Sequence, residues 1–215
     1  MTDIENGDKI FEQKPKIFFE DRRVVKGEIR IIGVDDSPFT FKSNHEVLIL
    51  GTIHRGGGYL EGVVSSKVIV DGDDSTSKII RMINQTKHKD QLQVIMLDGI
   101  AMGGFNVVDI SELGNRTYLP VIVITRNKPN LRKVKSALMN VNNWEKKYEL
   151  MKKAGKINEF RMASGAIYFQ CYGVSPEKSK EIIKVSINKG HMPEPIRTAH
   201  ILASGIVDGE SRGRA

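Results

Sequence analysis

The stretch EIRIIGVDDSPF (28–39), with EVLILGTIHR (46–55) and YLEGVVSSKVIV (59–70) after it, decides the architecture. Each is a run of β-branched and other apolar residues bounded by turn formers, which is how a strand reads, and the first strand is placed at 28–34. Gly56, Gly57 and Gly58 part the second run from the third and supply the permissive backbone of a hairpin tip. Three antiparallel strands therefore open the domain.

Beyond them the period changes. DDSTSKIIRMINQT (73–86) sets Ser and Thr ahead of Ile79, Ile80 and Ile83, an N-capped amphipathic helix. QVIMLDG (93–99) is a buried strand with an acid at its carboxyl edge. FNVVDISELG (105–114) reads as the next helix, stopped by Gly114 and carrying Asp109 as a surface acid, and LPVIVIT (119–125) is a fifth, fully apolar strand. Strands that return by helical crossovers run parallel, so the sheet is mixed. The order β-β-β-α-β-α-β is ribonuclease H-like: an α/β fold with a mixed five-stranded sheet and flanking helices. The remainder gives a helical basic segment (126–156), a strand (166–172), a helix (175–187) and a last helix (193–206) with Pro193 and Pro195 in its first turn, the C-terminal helical extension. Residues 1–14 read as a mobile acidic arm and 15–215 as a single domain.

Composition narrows the function. The 215 residues hold 33 Lys and Arg against 26 Asp and Glu, a net charge of +7, and 40% are hydrophobic, enough for a packed core. No apolar run approaches the roughly 18 residues of a membrane span, and the acidic N-terminus does not suit a signal peptide, so a cytoplasmic protein is expected. A lone Cys171 excludes an internal disulfide and a cysteine zinc site, leaving carboxylates and histidines to hold any metal. Between Arg126 and Lys156 stand ten positive and two negative residues, so the rest of the chain is nearly neutral. Such a block attracts a polyanion by displacing its condensed counterions. Arg126, Lys128, Arg132, Lys133 and Lys135 are the expected phosphate contacts. Trp144 and Tyr148 lie in the same block, free either to stack on bases or to dock on the core.

Ligands of an open α/β sheet gather outside the carboxyl ends of its strands. Asp35 closes the first strand, Asp98 closes the fourth, and Asp74 caps the helix between them, with Asp71 and Asp73 as competitors one to three residues away. The first and fourth strands are neighbours in this topology, so Asp35 and Asp98 face each other. Convergent carboxylates repel unless a proton or a divalent ion neutralises them, and oxygen-only ligation favours Mg²⁺ or Mn²⁺. Asp35 and Asp36 also suit the start of a turn at Pro38. In GHMPEPIRTAHILA, His191 precedes a helix N-terminus, where a neutral imidazole can orient a water, and His200 falls inside that helix. His45, His54 and His88 have no metal-spaced neighbour.

GVDDSPF, VDGDDST, LDGIAMGGF, TRNKPN, GHMPEPIRTA and the terminal GESRGR together resemble an archaeal family of proposed deoxyuridine endonucleases (domain of unknown function 99), itself similar to endonuclease V. The resemblance spans roughly residues 25–215. It implies a ribonuclease H-like, Mg²⁺-dependent nuclease that cuts near deaminated bases in DNA repair, with DNA ahead of RNA as partner. Asp35 in GVDD, Asp74 at the helix start, Asp98-Gly99 and Gly190-His191 match the motif positions of endonuclease V, which implies Asp35, Asp74 and Asp98 as metal ligands and His191 beside them in catalysis. Two departures stand out. The Pro-Tyr-Ile-Pro wedge of endonuclease V is replaced by SKVIVDG, and the His-Pro pair after its Asp-Gly by IAMGGFN. The acid at the helix start is Asp where endonuclease V has Glu. The glycine-rich MGGF loop (102–105) offers Phe105 as a surface for an extruded base.

The expected function is thus a divalent-metal-dependent endonuclease. The alternative is a non-catalytic nucleic-acid-binding protein that keeps the fold. Small-molecule phosphotransfer is a distant third, since the chain has no second, duplicated domain and no GxxxxGK[ST] loop.

Overall fold

The strand RIIGVDD, β1 (Arg30–Asp36), is buried along nearly its whole length because it lies inside the sheet with helices on both faces. The structure, a computed structural model, describes residues 16–39 and 45–211. The arm expected at 1–14 lies outside the described residues. β1 pairs antiparallel with β2 (Glu46–Arg55), which pairs antiparallel with β3 (Tyr59–Ile69). After α1 (Ser75–Gln85), β4 (Val94–Asp98) returns parallel to β1, with Val34 opposite Leu97. A small ribbon follows, β5 (Ala101–Met102) with β6 (Asn106–Val107), then α2 (Ile110–Thr117) and β7 (Val121–Thr125), parallel to β4. The basic segment forms α3 (Leu131–Leu138) and α4 (Trp144–Lys153). A hairpin of β8 (Asn158–Met162) and β9 (Gly165–Tyr172) extends the sheet beyond the five anticipated strands, and α5 (Pro176–Ser186) and α6 (Glu194–Asp208) end the described chain. The sheet runs β3-β2-β1-β4-β7-β9-β8. No helix of the described residues is long and apolar enough to cross a membrane.

Alternation along the strands builds two cores. Ile32 and Val34 of β1, with Ile95 and Leu97 of β4, pack beneath α1 and α2, while Ile31, Val94 and Met96 pack against α5 and α6. Asp35 therefore lies on the α6 side. Two short-range facts fix where α6 sits. A Cβ on Gly33 would lie 2.3 Å from the carbonyl carbon of Pro195, and the Thr52 hydroxyl donates to the Pro195 oxygen at 2.5 Å. From that anchor, two strand residues rise about 6.6 Å to Asp35, and five helical residues rise about 7.5 Å to His200. The two side chains come level. Gly33→Ala is expected to force α6 off the sheet at a cost of about 3 kcal/mol, lowering the melting temperature by roughly 6–12 °C. An unchanged melt would refute the anchor.

The same helix covers His54, which is 5% exposed and has no partner on either ring nitrogen. Burial lowers its pKa below the ordinary 6.5; Glu194 opposes this and Arg197 adds to it. The unfolded chain accepts a proton that the folded chain resists, so this group takes stability away as pH falls below about 6.5. His54→Leu should therefore gain on its parent in urea melts between pH 7.5 and 5.5, and a gap that does not widen would contradict this.

Two readings are corrected here. Residues 105–107 are not helical: the turn of α2 begins only where the Asp109 carboxylate accepts the N–H groups of Ser111 and Glu112. Asp109 is thus a cap, ion-paired with Lys153 at 2.8 Å. Gly114 does not stop the helix but lies within it, where a Cβ would meet the Tyr172 ring at 2.7 Å; the stop is Tyr118, at φ +57°.

Candidate functional site

Asp35 and Asp98 end adjacent parallel strands on one rim of the sheet, and α6 brings His200 across to them. Among the described residues these three are the one group of His, Cys, Asp or Glu whose ligand atoms converge, all within 4.8 Å of one another. His200 Nδ1 lies 2.9 Å from Asp35 Oδ2, and Asp35 Oδ1 accepts the N–H of Asp36 at 2.9 Å. The carboxylates are poorly solvated. Burial, with Asp98 repelling it, pushes the pKa of Asp35 up against the pull of His200. Burial also raises that of Asp98, opposed by Arg126. Asp36 shares the cleft and is pushed up to about 6, by burial first and Asp35 second. The hydrogen bond to Asp35 holds the imidazole of His200 above its ordinary value. A divalent cation fits this donor set, since it would neutralise two desolvated like charges and use the imidazole as a nitrogen ligand.

Arg126, expected on phosphate, donates to Asp98 Oδ2 at 3.3 Å, and its buried Nη2 has no partner. It faces the cleft directly. Lys128, Arg132, Lys133 and Lys135 are exposed along the loop before α3 and on α3 itself.

The structure does not bring Asp74 or His191 into the group. Asp74 Oδ1 accepts from Asn106 Nδ2 at 2.6 Å and from the Ile69 N–H at 3.1 Å, while Asn106 Oδ1 takes over capping the Ser75 N–H. The competing acids are equally engaged. Asp71 Oδ1 accepts the Phe105 N–H, and Asp73 holds Asn143 and Lys147. His191 sits beside Gly165 in the β8–β9 turn, on the same rim but beyond β4 and β7.

Directly past Asp98 opens a cavity of about 460 Å³, walled by Gly99, Ile100, Phe105, Tyr148 and Tyr168. Phe105 is presented by two glycines in left-handed backbone, Gly103 at φ +58° and Gly104 at φ +85°. Tyr148 has Lys135 and Lys152 against its ring at 5.3 and 5.2 Å.

Sequence reasoning missed His200 as a member of this group. The available signal was its place one turn after Ile196, at the margin of the buried stripe Ile196, Ala199 and Ala203. It also counted Lys147 among surface charges, although its ammonium is buried and donates to the carbonyls of Asp71, Gly72 and Phe105 at 2.6, 2.6 and 3.0 Å.

The protein is a mixed α/β fold, a large mixed sheet with flanking helices, that gathers a buried carboxylate, a half-buried one and an imidazole at the carboxyl edge of its parallel strands. Residues 27–207 match the endonuclease dU family, and the chain belongs to it. It is similar to a UPF0215 protein of Methanothermobacter thermautotrophicus, 47% identical over 194 residues that cover 90% of this chain and 95% of that one. The crystal structure of a protein of unknown function from Archaeoglobus fulgidus matches with 37% identity and a TM-score of 0.76, covering 83% of this chain and 98% of that one. Endonuclease V of Ciona intestinalis, solved with DNA containing an inosine, shares the fold at 15% identity and a TM-score of 0.56, over 84% of this chain and 86% of that one.

Proposed function

We propose that the protein is a divalent-cation-dependent endonuclease that cuts nucleic acid, DNA before RNA, at a deaminated base. The observation that carries this reading is the convergence of Asp35, Asp98 and His200 beside an aromatic cavity large enough for one base. Asp35, Asp98 and His200 would hold Mg²⁺ or Mn²⁺, which supplies charge neutralisation at the phosphate and an acidified water. The protein's own groups do the rest. His200 fixes the Asp35 carboxylate through its 2.9 Å contact. Arg126 lines the cleft and, through its contact with Asp98, puts a positive charge beside the place a phosphate would take. The exposed cations of the loop before α3 and of α3 attract the backbone, and Phe105 offers a face to the extruded base. Asp74 has no ligand role in this reading, because its carboxylate is spent on Asn106 and Ile69.

The test is incubation with Mg²⁺ or Mn²⁺ and single- or double-stranded oligonucleotides that carry uracil, hypoxanthine or ordinary bases only. Nicks next to the deaminated base that disappear with EDTA are expected; no product on any strand would end the reading. Phe105→Ala should raise KM for the deaminated strand about tenfold, the worth of one stacked base, with Mn²⁺ affinity unchanged.

One observation favours a second reading. The Arg126 guanidinium already supplies Asp98 with a countercharge, as a binding protein with no need of a cation would arrange it. That protein would bind oligonucleotides with strong salt dependence, indifferent to EDTA.

A further inference from the structure

Asp36 follows Asp35 on β1 and lines the same cleft, but the two carboxylates take different partners. Asp35 meets His200. Asp36 instead accepts the N–H of Gly103 at 2.5 Å, in the strap Met102–Phe105 that walls the cavity. Three more ties hold that strap: the Asp71 N–H donates to the Gly103 carbonyl at 2.9 Å, Asp71 Oδ1 accepts the Phe105 N–H at 2.7 Å, and Lys147 donates to the Phe105 carbonyl at 3.0 Å. Only the tie from Asp36 starts on the strand that also bears the carboxylate rim. Gly103 and Gly104 have no side chains to keep them in left-handed backbone, so the strap's shape depends on its ties.

We propose that Asp36 is a positioning residue that sets base selectivity: by holding Gly103 it fixes the strap, and with it Phe105, in register with Asp35 and Asp98. This rests on the reading of cleft and cavity given under the proposed function. With the acceptor gone, the two glycines can leave their conformation, the cavity wall loosens, and an ordinary base is no longer refused.

Two variants of the full chain separate this role from others. Asp36→Asn keeps an oxygen for the Gly103 N–H, and Asp36→Ala removes it. Three quantities are measured: amide hydrogen exchange in 101–106, Mn²⁺ affinity by calorimetry, and the ratio of kcat/KM for uracil- and thymine-containing strands. In Asp36→Ala, exchange should quicken and the ratio fall, each about tenfold and the latter mainly through KM, as loss of a charge-assisted hydrogen bond implies. Asp36→Asn should stay within about threefold of the parent on both, and Mn²⁺ affinity should hold within about threefold in either variant. Unchanged exchange and ratio in Asp36→Ala would overturn the proposal. So would Mn²⁺ affinity falling tenfold in both variants, which would make Asp36 an ion ligand. If the parent cuts neither strand, it is the endonuclease reading that has failed, and the exchange comparison still decides whether Asp36 holds the strap.

Discussion

Asp98→Asn should reduce cleavage by about 10³-fold at saturating Mg²⁺, the scale expected when a group that fixes the charge-stabilising centre of a reaction is lost. The same substitution should leave the fold as stable as before, or more so. The Asp98 side chain is only 12% exposed, and this desolvation, with the negative charge of Asp36, holds its carboxyl pKa above the ordinary value against the pull of Arg126 and His200. An amide of the same shape carries no such desolvation cost, and its oxygen still accepts from Arg126. The pairing of a large kinetic loss with an unchanged or raised melting temperature is the mark of a site that spends stability on function. Calorimetry in EDTA and single-turnover cleavage measure the two halves. If Asp98→Asn retained more than about a tenth of parental cleavage, Asp98 could not be holding the ion.

Lys147→Met should cost about 4 kcal/mol, because one buried ammonium serves three carbonyls and an acid, and removing it strands all of them. At this chain length that is a fall in melting temperature of roughly 10 °C. The loss is local in origin. Lys147 joins α4 to the loop after β3 and to Phe105, so hydrogen exchange should quicken first in 71–74 and 103–106. A variant melting within about 2 °C of the parent would show that water serves those carbonyls as well as the lysine does.

The sequence carried the fold well where burial is two-sided. β1, β4 and β7 each carry a continuous apolar run because helices cover both faces, and such a run between turn formers has few other readings. Asp35 and Asp98 were legible for the same reason, since each is the first acid after such a run. His200 was not. Its meeting with Asp35 depends on how α6 lies on the sheet, which is set by the close approach of Gly33 to Pro195, and no residue pattern announces that contact. The acids at 71, 73 and 74 misled in the other direction: at the start of a helix a ligand and a loop fastener look alike, and here all three are fasteners. Lys147 shows the limit of counting charges along a chain, because a lysine facing three carbonyls and a lysine in water are the same letter.

The imidazole and the carboxylate it faces are 165 positions apart, and His200 rides on the final described helix. During synthesis, then, both aspartates are laid down long before the third donor exists. A growing chain that has completed β4 has two repelling acids and no helix to cover them. The cleft is finished only when α6 settles onto Gly33, so assembly of the three-residue group and closure of the fold become one late event.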